Sequence, residues 1–437
     1  MDSTATGRAG ESPAAEFRAG VFWSTFGNGV HLLATVAFMP VLTRLYGLKA
    51  FANYEVYFAV LSFAAISACL CFDFAVPVQR SRLRAVGLAL VGLGAATAVC
   101  VLLAAGVAAT HAFGFASSRF TGLAWCVVAG SWMAAANRVL YYLGLHQRRF
   151  GLLASGRMAQ AVVTIGVQIT AAFTGWGVIG LVIGDLAGRL VALLLLQRAL
   201  INETACLRRL SLARVVGLAW RNRRLPLLNG LWILMQTSAI RLPVIVVAGW
   251  WGPAAAGSFA VCQRALDAPR VILTAAMGHA WFAVSARLAR EVPGELNIDF
   301  RRHLRRLFWL VLPAIPVCMI WGEDVFAFVF GERWRMAGTM ARWVVPWFAL
   351  RAIVVPLRQS LLVVHRQSVL IVCEALVVIG LMAIAGGCAL AGVGVIAMLA
   401  IYAIWCSLVL ILQAGWHERA LRRFAADAVA VESERRP

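Results

Sequence analysis

Long apolar runs, separated by short clusters of Gly, Pro, Asn and Arg, occupy most of the chain. The runs are continuous rather than alternating, which fits membrane helices and not the two-residue period of a membrane barrel. A helix needs about 20 apolar residues to cross the hydrocarbon core. Taking turn residues and charges as boundaries, the pattern predicts about twelve such spans in an all-α integral membrane protein. The first six run over roughly 18–42, 52–76, 85–109, 120–144, 152–174 and 177–198. The second six run over roughly 224–250, 256–285, 307–331, 338–363, 367–389 and 391–414.

The two halves repeat. Pro40…Arg44-Leu45-Tyr46-Gly47 and then Phe51-Ala52-Asn53-Tyr54 recur as Pro243…Trp250-Trp251-Gly252-Pro253 and then Ala256-Gly257-Ser258-Phe259. Leu145-His146-Gln147-Arg148, with Gly175-Trp176-Gly177-Val178-Ile179 further on, pairs with Val364-His365-Arg366-Gln367 and Ala391-Gly392-Val393-Gly394-Val395-Ile396. Both matches have an offset of about half the chain, as internal duplication produces. Each half has an even number of spans, so the copies point the same way and their pseudo-two-fold axis runs along the membrane normal. The expected division is therefore, within about 2–4 residues, a tail (1–17), a first six-helix lobe (18–198), a basic linker (199–223), a second six-helix lobe (224–414) and a tail (415–437).

Composition sharpens the membrane reading. Of 437 residues, 62% are hydrophobic and only 14% charged, with mean hydropathy +0.82. The net charge is +21, from 40 basic against 19 acidic residues. In a soluble protein that excess would suggest nucleic acid; here loop arginines that fix orientation account for it, and no nucleic acid is expected. With the N-terminus inside, the inner loops hold Arg80, Arg82, Arg84, Arg148 and Arg149, the clusters from Arg198 to Arg224 and from Arg287 to Arg306, Arg366, and the tail from Arg419 to Arg436. The outer loops hold only Arg44, Lys49, Arg119, Arg333 and Arg335, so both termini are expected in the cytoplasm. In the linker, Arg208, Arg209, Arg214, Arg221, Arg223 and Arg224 alternate with Leu207, Leu210, Val215, Val216 and Trp220. This reads either as an amphipathic helix on the anionic inner leaflet or as an orientation signal alone.

Candidate chemistry lies inside the spans. Arg138, Arg241 and Arg351 sit mid-span with no Asp or Glu three or four positions away. A charge at that depth costs about 2.5–3.5 kcal/mol on insertion scales, so each faces a wet cavity, meets an interhelical partner such as Glu55, Asp73 or Glu374, or snorkels. Arg264, Asp267 and Arg270 are spaced by three on the eighth span, leaving one guanidinium in excess, whereas Asp185 and Arg189 can neutralise each other. The excess of cations predicts a central cavity for an anion. The first and seventh spans carry polar faces, Asn28 and His31 on one and Asn229, Trp232 and Gln236 on the other. They suit either a substrate lumen or ordinary polar helix packing. No phosphate-binding Gly-Lys-Ser/Thr loop occurs, the seven His are isolated, and the ten Cys lie mostly inside apolar segments. The expectation is a transporter, not an enzyme, with no metal and no cofactor.

Several ordered motifs carry a resemblance. They are Pro40-Val-Leu-Thr-Arg-Leu-Tyr-Gly47 with Phe51 and Tyr54, Phe74-Ala-Val-Pro77-Val-Gln-Arg-Ser81, Gln147-Arg-Arg-Phe150 with Ala154-Ser-Gly-Arg157, Trp251-Gly-Pro253 through Gly257, and Gly331-Glu-Arg-Trp334 with Ala337-Gly338. Together they resemble the polysaccharide (O-antigen type) flippases, within the superfamily that also holds multidrug and toxin extrusion transporters and lipid II flippases. The chain departs from the usual pattern at Ala52, where Gly is common, and at Asp185. The resemblance implies a V-shaped, two-lobed carrier of the bacterial inner membrane that moves undecaprenyl-pyrophosphate-linked oligosaccharide outward. Membrane lipids, and a polymerase and glycosyltransferases of the same pathway, would be its partners. On that reading Arg138, Arg241, Arg264, Arg270 and Arg351 attract pyrophosphate, and Asn28, His31, Asn229, Trp232 and Gln236 contact sugar. Glu55, Asp73, Asp185 and Glu374 are the candidates for ion coupling. The rivals are a cation-coupled drug exporter, which would want an acidic cavity, and a membrane-embedded glycan polymerase or ligase.

Overall fold

The computed structural model describes residue 34 and residues 37–434, apart from 78, 80, 113–117, 202, 204, 205, 207, 209, 223 and 365. Asn28 and His31 lie outside the described residues. Every regular element among the described residues is helical. The longer helices are α1 (Leu48–Ala68), α2 (Arg82–Ala112), α3 (Ser118–His146), α4 (Phe150–Phe173), α5 (Val178–Leu196), α6 (Leu212–Arg221) and α7 (Arg224–Trp251). They continue as α8 (Pro253–Leu273), α9 (His279–Glu291), α10 (Glu295–Val311), α11 (Ala314–Phe330), α12 (Arg335–Val354), α13 (Ser368–Leu390) and α14 (Val395–Glu434).

Among the described residues, ten helical stretches are long and apolar enough to cross a membrane, and they coincide with expected spans two to seven and nine to twelve. This is a multi-pass membrane protein. The first expected span falls largely outside the described residues. The eighth is present as α8, a helix of 21 residues, but Arg264, Asp267 and Arg270 make it less apolar than the other ten. That span was expected to run on to about residue 285. The helical run does pass that point without a gap, but it changes type on the way: α8 leads into a π-helical turn over Thr274–Gly278 and directly on into α9. The ninth is broken at Leu312-Pro313, where the ring removes a backbone donor, so α10 and α11 are separate helices.

By packing, the chain forms two compact units. One comprises, among the described residues, 67–170 and 183–227; the other comprises 36–66, 171–182 and the chain from 228 onward. These units cut across the sequence halves, because segments 36–66 and 171–182 of the first half pack with the second half. The lobes expected from the sequence divide the chain by repeat; the units divide it by contact.

The first unit is built on α2 and α3, whose buried Ala85, Leu88, Ala89, Ala135, Val139 and Leu143 form a core of small and aliphatic side chains. Helix α6 closes one end of it. Ser211 caps α6, accepting from the Arg214 amide at 3.4 Å, and Leu210, Val215 and Leu218 pack on the α2–α3 core. Its opposite face exposes Val216 and Trp220. Of the two readings the linker pattern left open, the helix with one apolar face is the one present here.

The second unit shows the repeat directly. Gly257 on α8 meets Ala52 on α1 so closely that a Cβ added at 257 would stand 2.5 Å from the Ala52 Cβ. These are matching positions of the two repeats, and equivalent positions touch each other only beside a two-fold axis. A second contact recurs in both copies. Tyr46 reaches Gly180 at the start of α5, and its equivalent Trp251 donates its indole N–H to the Val393 carbonyl at 3.0 Å, just before α14. Gly252 makes the turn between α7 and α8 at φ +88, a region open to glycine, and Pro253 then opens α8 at a position where its missing N–H costs nothing.

Candidate functional site

The site grows from four helices of the second unit. α7 carries Arg241 two residues before Pro243, whose missing N–H leaves the Ala239 carbonyl without its helical donor. Gln263 of α8 donates to the next carbonyl, that of Ile240, at 2.9 Å, and so ties α8 to α7 beside Arg241. On α8 the spacing of three places Arg264, Asp267 and Arg270 on one stripe. α1 contributes Glu55 and, one turn on, Phe58. α12 contributes Arg351 from its last turn.

Two carboxylates organise these cations. Asp267 takes a two-pronged pair from Arg270, with both N···O distances 2.6 Å, and lies 3.6 Å from Arg351. Glu55, only 3% exposed, pairs with Arg264 at 3.0 Å. Arg241 has no ion pair among the described residues, although Glu55, Asp267, Arg264 and Arg351 all lie within its electrostatic reach. It stacks instead over the Phe58 ring at 4.9 Å, and Arg264 lies over the same ring at 4.9 Å. Two guanidiniums gathered at one aromatic ring repel each other. Glu55, paired with Arg264, and the electron-rich ring offset that repulsion. The cluster holds four guanidiniums against two carboxylates, a net charge of about +2 in a poorly solvated setting. Such a cluster attracts a compact polyanion, and Arg forks match phosphate oxygens in pairs.

The other expected residues fall elsewhere. Arg138 belongs to the first unit, where it pairs with the fully buried Asp73 and lies 4.9 Å over the Phe74 ring. Asp185 and Arg189 pair along α5 at 2.7 Å. Glu374 is taken by Arg358 at 2.5 Å, whose other arm reaches Gln413 at 2.8 Å. All four carboxylates considered for ion coupling are thus engaged by arginines. Trp232 packs among the apolar residues around Trp281, Leu357 and Leu361, with its indole N–H buried and without an acceptor among the described residues. Gln236 is half-buried one turn further along α7, and the side chain of Asn229 lies outside the description.

Two further half-buried arginines lie inside the spans. Arg358 anchors the Glu374–Gln413 network between α13 and α14. Arg157 on α4 lies 5.1 Å over the Tyr141 ring and has no ion pair among the described residues. Like Arg138, Arg241 and Arg351, both sit inside expected spans without an acid three or four positions away, but nearer a span end.

Comparison with known proteins agrees with this architecture. The chain superposes on an inward-facing multidrug resistance MATE family transporter of the MOP superfamily with a TM-score of 0.62 at 14% identity, covering 95% of this chain and 96% of that one. It superposes on the lipid II flippase MurJ, in an inward closed conformation, with a TM-score of 0.64 at 11% identity, covering 95% and 90%. A MOP superfamily transporter from Pyrococcus furiosus, described by the reverse polarity of its binding pocket, gives 0.56 at 13% identity, covering 95% and 97%. At these identities the likeness establishes the fold, that of the MOP superfamily transporters. No curated protein matches the sequence. The profile of one family does, over residues 41–338, and on that match the chain belongs to the polysaccharide biosynthesis protein family.

Proposed function

We propose that this membrane protein is a flippase that carries undecaprenyl-pyrophosphate-linked oligosaccharide from the cytoplasmic to the periplasmic leaflet of a bacterial inner membrane. The observation that carries the proposal is the oversubscribed cluster in the second unit, where Arg241, Arg264, Arg270 and Arg351 share Glu55 and Asp267. A pyrophosphate supplies the missing negative charge, and its oxygens accept from several guanidiniums at once. Arg241, which has no carboxylate of its own, makes the first contact; Arg351, held at 3.6 Å from Asp267, turns to the ligand next. Gln236, half-buried on α7, contributes to a polar path for sugar. The family supports a place in polysaccharide biosynthesis, and the fold supports transport rather than catalysis.

The same charges give direction. With both termini in the cytoplasm, an inside-negative potential favours outward movement of anionic cargo by about 2.3 kcal/mol per charge per 100 mV. Glu55 is the best placed of the acids to couple an ion, because releasing Arg264 on protonation would raise the positive charge of the cluster.

The test is flipping in proteoliposomes of a fluorescent, short-chain polyprenyl-pyrophosphate oligosaccharide. Wild-type protein should move it between leaflets without changing it, and Arg241→Gln should abolish movement while remaining folded and inserted. Chain extension of the oligosaccharide by the purified protein would establish a polymerase instead. Transport of a cationic dye that is insensitive to Arg241→Gln would establish a drug exporter.

A further inference from the structure

A second cationic site lies at one end of α13 and α14, apart from the cluster in the spans. A cavity of about 230 Å³ is lined by Arg366 and Val369, where the chain enters α13, and by Trp416, Arg419, Ala420 and Arg423 of α14. The four α14 residues follow the i, i+3, i+4, i+7 rule and so share one face of the helix. None of the three arginines has an ion pair among the described residues.

The carboxylate that could neutralise them points elsewhere. Glu418 pairs with Arg422 at 2.5 Å and with Arg301 of α10, on the other side of α14. Glu418 is therefore already shared by two arginines on the side towards α10, and three more cations gather around a hollow with no acid lining it. Orientation alone requires arginines at this end of the protein but no convergence of their side chains on one cavity.

Depth identifies the kind of anion. From Val395 to Ala414, α14 is long enough to cross the hydrocarbon core, about 30 Å, so Trp416 falls at the water interface, where indoles concentrate. Arg419 and Arg423 follow one and two turns further out, at headgroup level. Below the cavity both helices present exposed apolar side chains, Val372 and Ile379 on α13 and Leu408 and Leu412 on α14. A headgroup phosphate in the cavity would leave its acyl chains lying along these residues, whereas a free phosphate would leave that surface unused.

We propose that Arg366, Arg419 and Arg423, with Trp416, bind the phosphodiester of an anionic phospholipid of the adjacent leaflet. Basic pockets between membrane helices hold acidic headgroups by this combination of charge and interfacial depth. The lipid ties the ends of α13 and α14 together and is distinct from the cargo of the central cluster.

Native mass spectrometry of the full chain, released from detergent with added phosphatidylglycerol, phosphatidylcholine or inorganic phosphate, tests this. The wild-type protein should retain one phosphatidylglycerol in preference to phosphatidylcholine. Arg419→Gln with Arg423→Gln should weaken that retention roughly thirty-fold, at the usual contribution of a basic residue near an anionic headgroup. Arg305→Gln with Arg306→Gln removes two exposed cations from α10 at the same end and should leave retention unchanged. Arg366→Gln alone, in the loop, provides the same reading if the α14 pair fails to fold, with a smaller loss. Equal losses in the α10 and α14 pairs would show diffuse attraction and overturn the proposal. So would displacement of phosphatidylglycerol by millimolar inorganic phosphate, which would mark a free-phosphate site, or phosphatidylcholine retained as well as phosphatidylglycerol.

Discussion

Arg138 in the first unit and Arg241 in the second are alike in the sequence: each lies mid-span, with no acid three or four positions away. The structure treats them oppositely. Arg138 meets Asp73, a one-to-one pair with the carboxylate fully buried. Arg241 joins a group in which arginines outnumber acids, and it rests on an aromatic ring rather than on a carboxylate. Burial does not separate a structural arginine from one available to ligand; stoichiometry does. A closed pair has its charge cancelled by a fixed partner, and breaking it strands a buried ion. An oversubscribed cluster holds unspent positive charge that only a mobile anion can balance.

The contrast breaks first on stability. Arg138→Gln leaves Asp73 charged and buried, and should destabilise the first unit by about 3–5 kcal/mol, seen as a lower melting temperature in detergent and loss of protein from the membrane. Replacing both partners by apolar residues of similar volume, Arg138→Met with Asp73→Leu, should restore most of that loss. Arg241→Gln should do the reverse, leaving the melting temperature unchanged or raised, because it removes a guanidinium with no ion-pair partner among the described residues. A fall as large as that of Arg138→Gln would mean that Arg241 is structural too.

A smaller effect separates packing from charge. Gly257→Val would drive a side chain into Ala52 at the contact between repeats and should cost about 1–3 kcal/mol without altering anion affinity in whatever protein remains folded. Ala52→Gly should relieve part of that cost. Smallest is Arg335→Gln. Arg335 pairs with Asp324 at 2.9 Å and Glu332 at 3.1 Å, all three well exposed. Exposed pairs contribute about 0–1 kcal/mol, so the melting temperature should hardly move.

Apolar run length made most of the spans legible, because crossing a bilayer imposes one length on every helix. The eighth is the least apolar of the runs bounded by turn residues, and the charges that lower its hydropathy are those of the site. The π-helical turn at Thr274–Gly278 and the break at Leu312-Pro313 depend on tertiary packing and a single ring, which leave weak marks on a hydropathy pattern. Pairing was least legible. Scanning three and four positions away examines one face of one helix, whereas Asp73 reaches Arg138 from a 3-10 turn in another element, and Asp267 reaches Arg351 from α8 to α12. Arg157 and Arg358 lie within about two turns of a span end, where a long side chain can snorkel, so depth alone does not mark them as charges needing a partner. The contact of Ala52 with Gly257 was foreshadowed by the repeat, since matching positions have somewhere to meet only at the axis.

The most direct measurement is the binding of a short-chain polyprenyl-pyrophosphate saccharide to the purified protein, by calorimetry, for wild type and Arg241→Gln at matched stability. Losing one arm of a desolvated charge contact costs about 2–4 kcal/mol, so affinity should fall roughly thirty- to a thousand-fold, with no comparable loss for a ligand whose pyrophosphate is replaced by a neutral group. Equal affinity of the two proteins for the pyrophosphate ligand would contradict the account, because the excess charge around Glu55 and Asp267 would then have no anion to answer to.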